Sequence, residues 1–186
     1  MRHSPAKTLL ACALVVGAAV ITLNGQYSLT VNKDRLINAQ NEPQNWLIMN
    51  GDYTSTRYSK LTQINRDNVG NLRMVWALAL GGMQDTGRNG PESEVNPLID
   101  NGFMYTTDGW GTVYKIDARN PDYGDFVWIA DPGVDHEGNS SRSRGIALWE
   151  DKVLANLPDG RVIAIDRDNG EIVWDVEIAG TNEFGR

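Results

Sequence analysis

The chain has 186 residues, with 17 Lys and Arg against 24 Asp and Glu, a formal net charge of −7. That balance argues against a basic face for nucleic acid, and the single cysteine, Cys12, cannot build a disulfide framework. Nineteen glycines and six tryptophans against three phenylalanines point to tight turns with large aromatic anchors, an all-β lean.

At the N-terminus, Arg2, His3 and Lys7 precede the apolar run TLLACALVVGAAVITL, Thr8 to Leu23. A charged start and a short apolar core are the marks of a secretory signal, so residues 1–25 are expected to direct export. The run is short for a membrane span of about 20 residues. No clean A-x-A site follows it, so an uncleaved N-terminal anchor, and with it membrane attachment, is the alternative. In Leu9-Leu10-Ala11-Cys12 the apolar core follows the cysteine, unlike a lipoprotein box.

Residues 26–40 are polar, and VNKDRLINAQ suits one helical turn or two. From Trp46 onward the chain reads as short strands between turn residues, and DNVGNL suits a helical turn. LRMVWALAL (72–80) has strand composition, and GGMQDTGRNGPESE (81–94) is a loop. NPLIDNGFMYTT (96–107) is two strands around Asp100-Asn101-Gly102, a hairpin signal. GTVYKID (111–117) and DFVWIA (125–130) form another pair, and a polar loop covers 131–145. IALWED, KVLANL, RVIAID and EIVWDVEI follow, separated by turns at 150–151, 158–160 and 168–170.

Two stretches repeat one pattern. VYKID ending at Asp117 leads to DFVW ending at Trp128; VIAID ending at Asp166 leads to EIVW ending at Trp174. The aspartates are 49 apart and the tryptophans 46, with three extra residues in the first copy; Trp76, 52 before Trp128, closes an earlier one. Repeats of about 40–50 residues with four short strands each are the signature of propeller blades. A tryptophan at one place in each outer strand is expected to wedge against the neighbouring blade and donate its indole N–H to a backbone carbonyl.

A-x-D-x-x-x-G-x-x-x-W at 164–174 matches the tryptophan-docking motif of pyrroloquinoline quinone (PQQ) dehydrogenases. NWLIMNGDYTSTRYSKLTQINRDNVGNLRMVW (45–76) resembles the N-terminal signature of the methanol/ethanol dehydrogenase family of quinoproteins. ESEVNPLIDNGFMYTT and SRGIALWEDKV are similar to two further segments of that family, so the resemblance runs from about Val31 to the end. It implies an all-β fold, the first two to three blades of an eight-bladed β-propeller occupying residues 26–186. The family's paired cysteines, which form a small disulfide ring over the cofactor, are absent: GNSSRSRG stands there. Asn139, Ser140 or His136 is the candidate to meet the cofactor face instead.

PQQ is a flat o-quinone with three carboxylates, so its rim needs cations and donors. The resemblance places Arg144 there, whose planar fork suits a carboxylate. It also places Glu94, three before Pro97, with Glu92 as the competing register. Thr181 and Asn156 are candidate donors to PQQ. Without the resemblance, these residues are loop acids, a loop arginine and ordinary polar side chains. No HExxH, cysteine cluster or phosphate loop occurs.

In the resemblance, the metal ligands (calcium or a lanthanide) and the catalytic base fall on later blades. The chain is therefore expected to be the N-terminal fragment of a periplasmic, PQQ-dependent alcohol dehydrogenase, inactive alone, whose whole form passes electrons to a cytochrome c. A non-enzymatic propeller scaffold for protein partners is the alternative. A sugar-oxidising quinoprotein is a third reading, against which the 45–76 signature speaks.

Overall fold

The computed structural model describes residues 30–81, 92–136 and 142–179. The candidate leader, Asn139, Ser140 and Thr181 lie outside the described residues.

The first described element is α1 (Lys33–Ile37), capped by the Asn32 side chain accepting from the Arg35 N–H at 3.0 Å. A 3-10 turn at Ala39–Asn41 follows, and another spans Val69–Asn71, where DNVGNL suggests one. No strand forms between Trp46 and Leu80, contrary to the reading of that stretch as short strands. Among the described residues, 72–80 have no partner strand. Yet Trp76, Leu78 and Leu80 are half-buried while Val75, Ala77 and Ala79 are exposed. The strand period is therefore present, but among the described residues no neighbouring strand accompanies it.

Two four-stranded antiparallel sheets make up the body. The first runs in order β2 (Leu98–Asp100), β3 (Phe103–Thr107), β4 (Val113–Asp117) and β5 (Asp125–Ala130). The second repeats that order with β7 (Ile146–Trp149), β8 (Lys152–Asn156), β9 (Arg161–Asp166) and β10 (Ile172–Glu177). Each is an up-and-down meander, one blade. Asn101 and Gly102, at φ 58° and 76°, form the two-residue turn between Asp100 and Phe103 that the DNG triplet requires. Short strands β1 (Glu92–Ser93) and β6 (Arg142–Ser143) pair in parallel as a separate two-stranded sheet.

The sheets share one core, in which Tyr105, Val113 and Trp128 of the first meet Leu148, Val153, Ile163 and Ile165 of the second. Trp128 locks them together. Its Nε1 donates to the Arg167 carbonyl at 3.1 Å, and its ring lies over Gly170, where an added Cβ would come within 2.8 Å. Trp76 repeats the arrangement one blade earlier: a Cβ on Gly124 would meet its ring at 2.9 Å. Each of these two tryptophans thus docks on the glycine of the next copy of the motif. Trp174 stays 42% exposed against 8% for Trp128.

Candidate functional site

Strand direction gathers chemistry at one end of the sheets. In a meander β2 begins, β3 ends and β4 begins at the same end, and the second sheet repeats this. Residues 92–97, 108–112, 131–136, 142–146 and 156–160 therefore cluster there, and the Ser93 hydroxyl donates to the Thr107 carbonyl at 3.1 Å across that end.

The two residues expected at a cofactor rim meet at this end. Glu94 follows β1 and Arg144 follows β6; the Glu94 N–H donates to the Ser143 carbonyl at 3.1 Å, extending the parallel pair by one step. That pairing sets the side chains facing each other, and Arg144 Nη1 donates to Glu94 Oε2 at 2.5 Å. The side chains are 69% and 44% exposed, so the pair is open to water. Arg142 stands on the same acid: its Nε lies 3.8 Å from Glu94 Oε1. Alternation along the RSR tripeptide could have found it, since i and i+2 share a face of an extended strand.

Behind Arg144 opens a shallow groove of about 370 Å³. Asn156, the last residue of β8, lines it with Arg144, so two separately chosen candidates share one concavity. The rest of its lining is apolar, the small residues Gly145, Ala147 and Ala155 beside the larger Ile146, Leu154 and Val162. Met49, from the N-terminal segment, is a lining residue that sequence reasoning missed. Gly145 holds φ 139°, a conformation that turns the chain from Arg144 into β7 and that side chains rarely adopt.

His136, a candidate for the cofactor face, lies at the same end. Its ring stacks on the buried indole of Trp110, with centroids 3.9 Å apart and planes 12° from parallel. A stacked ring already has one face covered. Beside it, Asp108 accepts from the Trp110 and Thr112 N–H groups and from the Tyr114 hydroxyl at 2.9 Å. Burial, with the bond to the Asp108 carboxylate, pushes the Tyr114 phenol up to about 12.

Lys115 is 3% exposed, and its Nζ donates to the Arg167 carbonyl at 2.6 Å beside the Phe103 and Tyr105 rings. Burial lowers its basicity, but its engagement is structural, at the joint between the blades. Among the described residues no three His, Cys, Asp or Glu side chains are grouped to hold a metal ion, and no helix is long and apolar enough to cross a membrane.

Residues 46–182 match the family model of the glucose/ethanol/alcohol dehydrogenase β-propeller domain. The dehydrogenase subunit of alcohol dehydrogenase (quinone) from Gluconacetobacter polyoxogenes is 35% identical over 185 residues, 94% of this chain and 23% of that protein. The lanthanide-dependent methanol dehydrogenase of Methylacidiphilum fumariolicum is 30% identical over 167 residues, 87% of this chain and 26% of its own. The solved quinohemoprotein alcohol dehydrogenase ADHIIG of Pseudomonas putida HK5 superposes with a TM-score of 0.72 at 34% identity, covering 82% of this chain and 22% of that one. The chain thus spans about a quarter of the length of the relatives it matches. With the blade meanders, the docked tryptophans and these matches together, the chain belongs to the PQQ-dependent alcohol dehydrogenase family of β-propellers.

Proposed function

We propose that these two blades supply one side of a PQQ site, with Arg144, Asn156 and Glu94 at its rim. The donor set fits the group's chemistry: a planar cation for a carboxylate, an amide donor, a carboxylate to accept from the cofactor, and an apolar lining for a flat ring. When bound, PQQ accepts a hydride equivalent from an alcohol.

The observation that carries the reading is the meeting of Glu94 and Arg144, fifty positions apart, with Arg144 also lining an apolar groove. An exposed ion pair is worth only about 0–1 kcal/mol. Arg144 can therefore exchange part of its pairing for an incoming carboxylate with little loss, while Glu94 keeps the guanidinium oriented. Arg142 adds positive potential over the same acid. In this reading the whole protein is a periplasmic alcohol dehydrogenase. The metal, calcium or a lanthanide, and the catalytic base would be held by segments outside residues 1–186, and Thr181 is a further candidate donor. A cytochrome c would accept the electrons, and the N-terminal run would direct export or anchor the protein.

Titrating the 186-residue chain with PQQ, by quenching of tryptophan fluorescence, tests the rim. Arg144→Ala is expected to weaken binding at least tenfold and Glu94→Gln several-fold, with circular dichroism unchanged. Equal affinity in all three proteins would favour the propeller scaffold, which has no use for either residue.

A further inference from the structure

We infer that Met49 is a ligand-face residue of this groove, laying its thioether against the flat ring system whose rim Arg144 and Asn156 hold. The inference rests on the PQQ reading and deepens it. It also answers what the GNSSRSRG loop leaves open, since that loop offers no sulfur.

Met49 lines the groove together with Arg144, Asn156 and apolar residues of β7, β8 and β9. It is 45% exposed, an apolar side chain left half in water above an apolar surface. Its backbone carbonyl, by contrast, has two side-chain donors. The Met49 carbonyl accepts from Trp46 Nε1 at 3.2 Å and from Asn96 Nδ2 at 3.4 Å. Trp46 in turn bridges to Ile99 of β2 through two backbone bonds of 2.8 and 2.9 Å, and its ring covers Gly51. Asn96 is two residues from Glu94, so one short segment fixes both the rim acid and Met49. A side chain presented from this anchored backbone over a shallow apolar lining suits a flat ligand: three rotatable bonds let the thioether adapt, and its polarizable sulfur favours aromatic contact. The other apolar side chains larger than alanine that line this groove, Ile146, Leu154 and Val162, belong to β7, β8 and β9, whereas Met49 comes from outside the sheets.

Peroxide footprinting of the full chain, with and without saturating PQQ, tests this. Methionine sulfoxide at Met49 and at Met74 is followed by mass spectrometry. Met74 is 83% exposed and lies outside the groove, so it reports any effect of PQQ on the oxidant itself. Oxidation of Met49 is expected to slow at least fivefold with PQQ while Met74 is unchanged. Met49→Ala should weaken PQQ binding about two- to tenfold, and Met49→Leu should restore part of the loss. If Arg144→Ala weakens binding but PQQ leaves Met49 oxidation unaltered, the rim reading stands and the Met49 inference falls. If the unaltered chain binds no PQQ, both fall.

Discussion

At the scale of single residues, the tryptophan–glycine contacts convert a sequence motif into a blade joint. Trp128 directs its one hydrogen bond to the Arg167 carbonyl and lays its ring on Gly170, so the two residues are complementary in shape as well as in spacing. Trp128→Ala should cost about 3–5 kcal/mol of stability by leaving a cavity between the sheets. Gly170→Ala should cost about 1–3 kcal/mol, because the residue holds φ 80° and a methyl group would press on the indole. Urea unfolding followed by circular dichroism checks both, and wild-type stability in either variant would refute the joint. Tyr114 carries a pH prediction. Its folded pKa, about 12, lies above the usual 10, so its contribution is complete below pH 10 and is lost as pH rises toward 12. Burial raises the Tyr105 phenol as well, so absorbance at 295 nm should show late-titrating tyrosines in the native chain and one fewer of them in Tyr114→Phe. The motif spacing made the tryptophans legible in the sequence. Lys115 and Arg167 were not, because strand alternation tells which side chains share a face and not whether another blade covers that face.

At the scale of elements, a buried charge network ties together the N-terminal segment and both blades. Asp100, at the end of β2, is fully buried and accepts from Arg35 Nη2 at 2.9 Å and from Arg167 Nη2 at 2.6 Å. Arg35 belongs to α1 and also pairs with Glu42 at 2.6 Å; Arg167 follows β9 and donates to the Glu150 carbonyl at 3.3 Å. A buried ion pair adds little against an apolar replacement, but removing one partner strands the other. Asp100→Ala is therefore expected to cost about 3–5 kcal/mol and to loosen α1 along with the blade joint, measurable as a lower urea midpoint. In the sequence Asp100 looked like part of an ordinary hairpin turn, and DNG did place that turn correctly. What the turn's aspartate meets depends on residues 65 and 67 positions away.

Across the whole molecule, the described residues form two blades with exposed apolar surface at their edges. Every residue of β10 is exposed, Trp174 included, and residues 72–80 have strand character without a partner strand among the described residues. Amide hydrogen exchange should show this directly: β3, β4, β8 and β9 protected, and 72–80 exchanging near the rate of an unstructured chain. Protection of 72–80 in the isolated chain would mean that a partner strand forms in solution.

By itself the sequence determined the strand composition, the hairpin turns, the blade repeat and the family, because each is a local pattern of spacing and side-chain shape. Only the tertiary structure decided which glycine each tryptophan covers, that Arg142 joins Glu94 and Arg144, that His136 is held by Trp110, and that Met49 lies in the groove. Those contacts join residues from different segments, most of them tens of positions apart, and their geometry is set by how the sheets pack rather than by any one segment's preference.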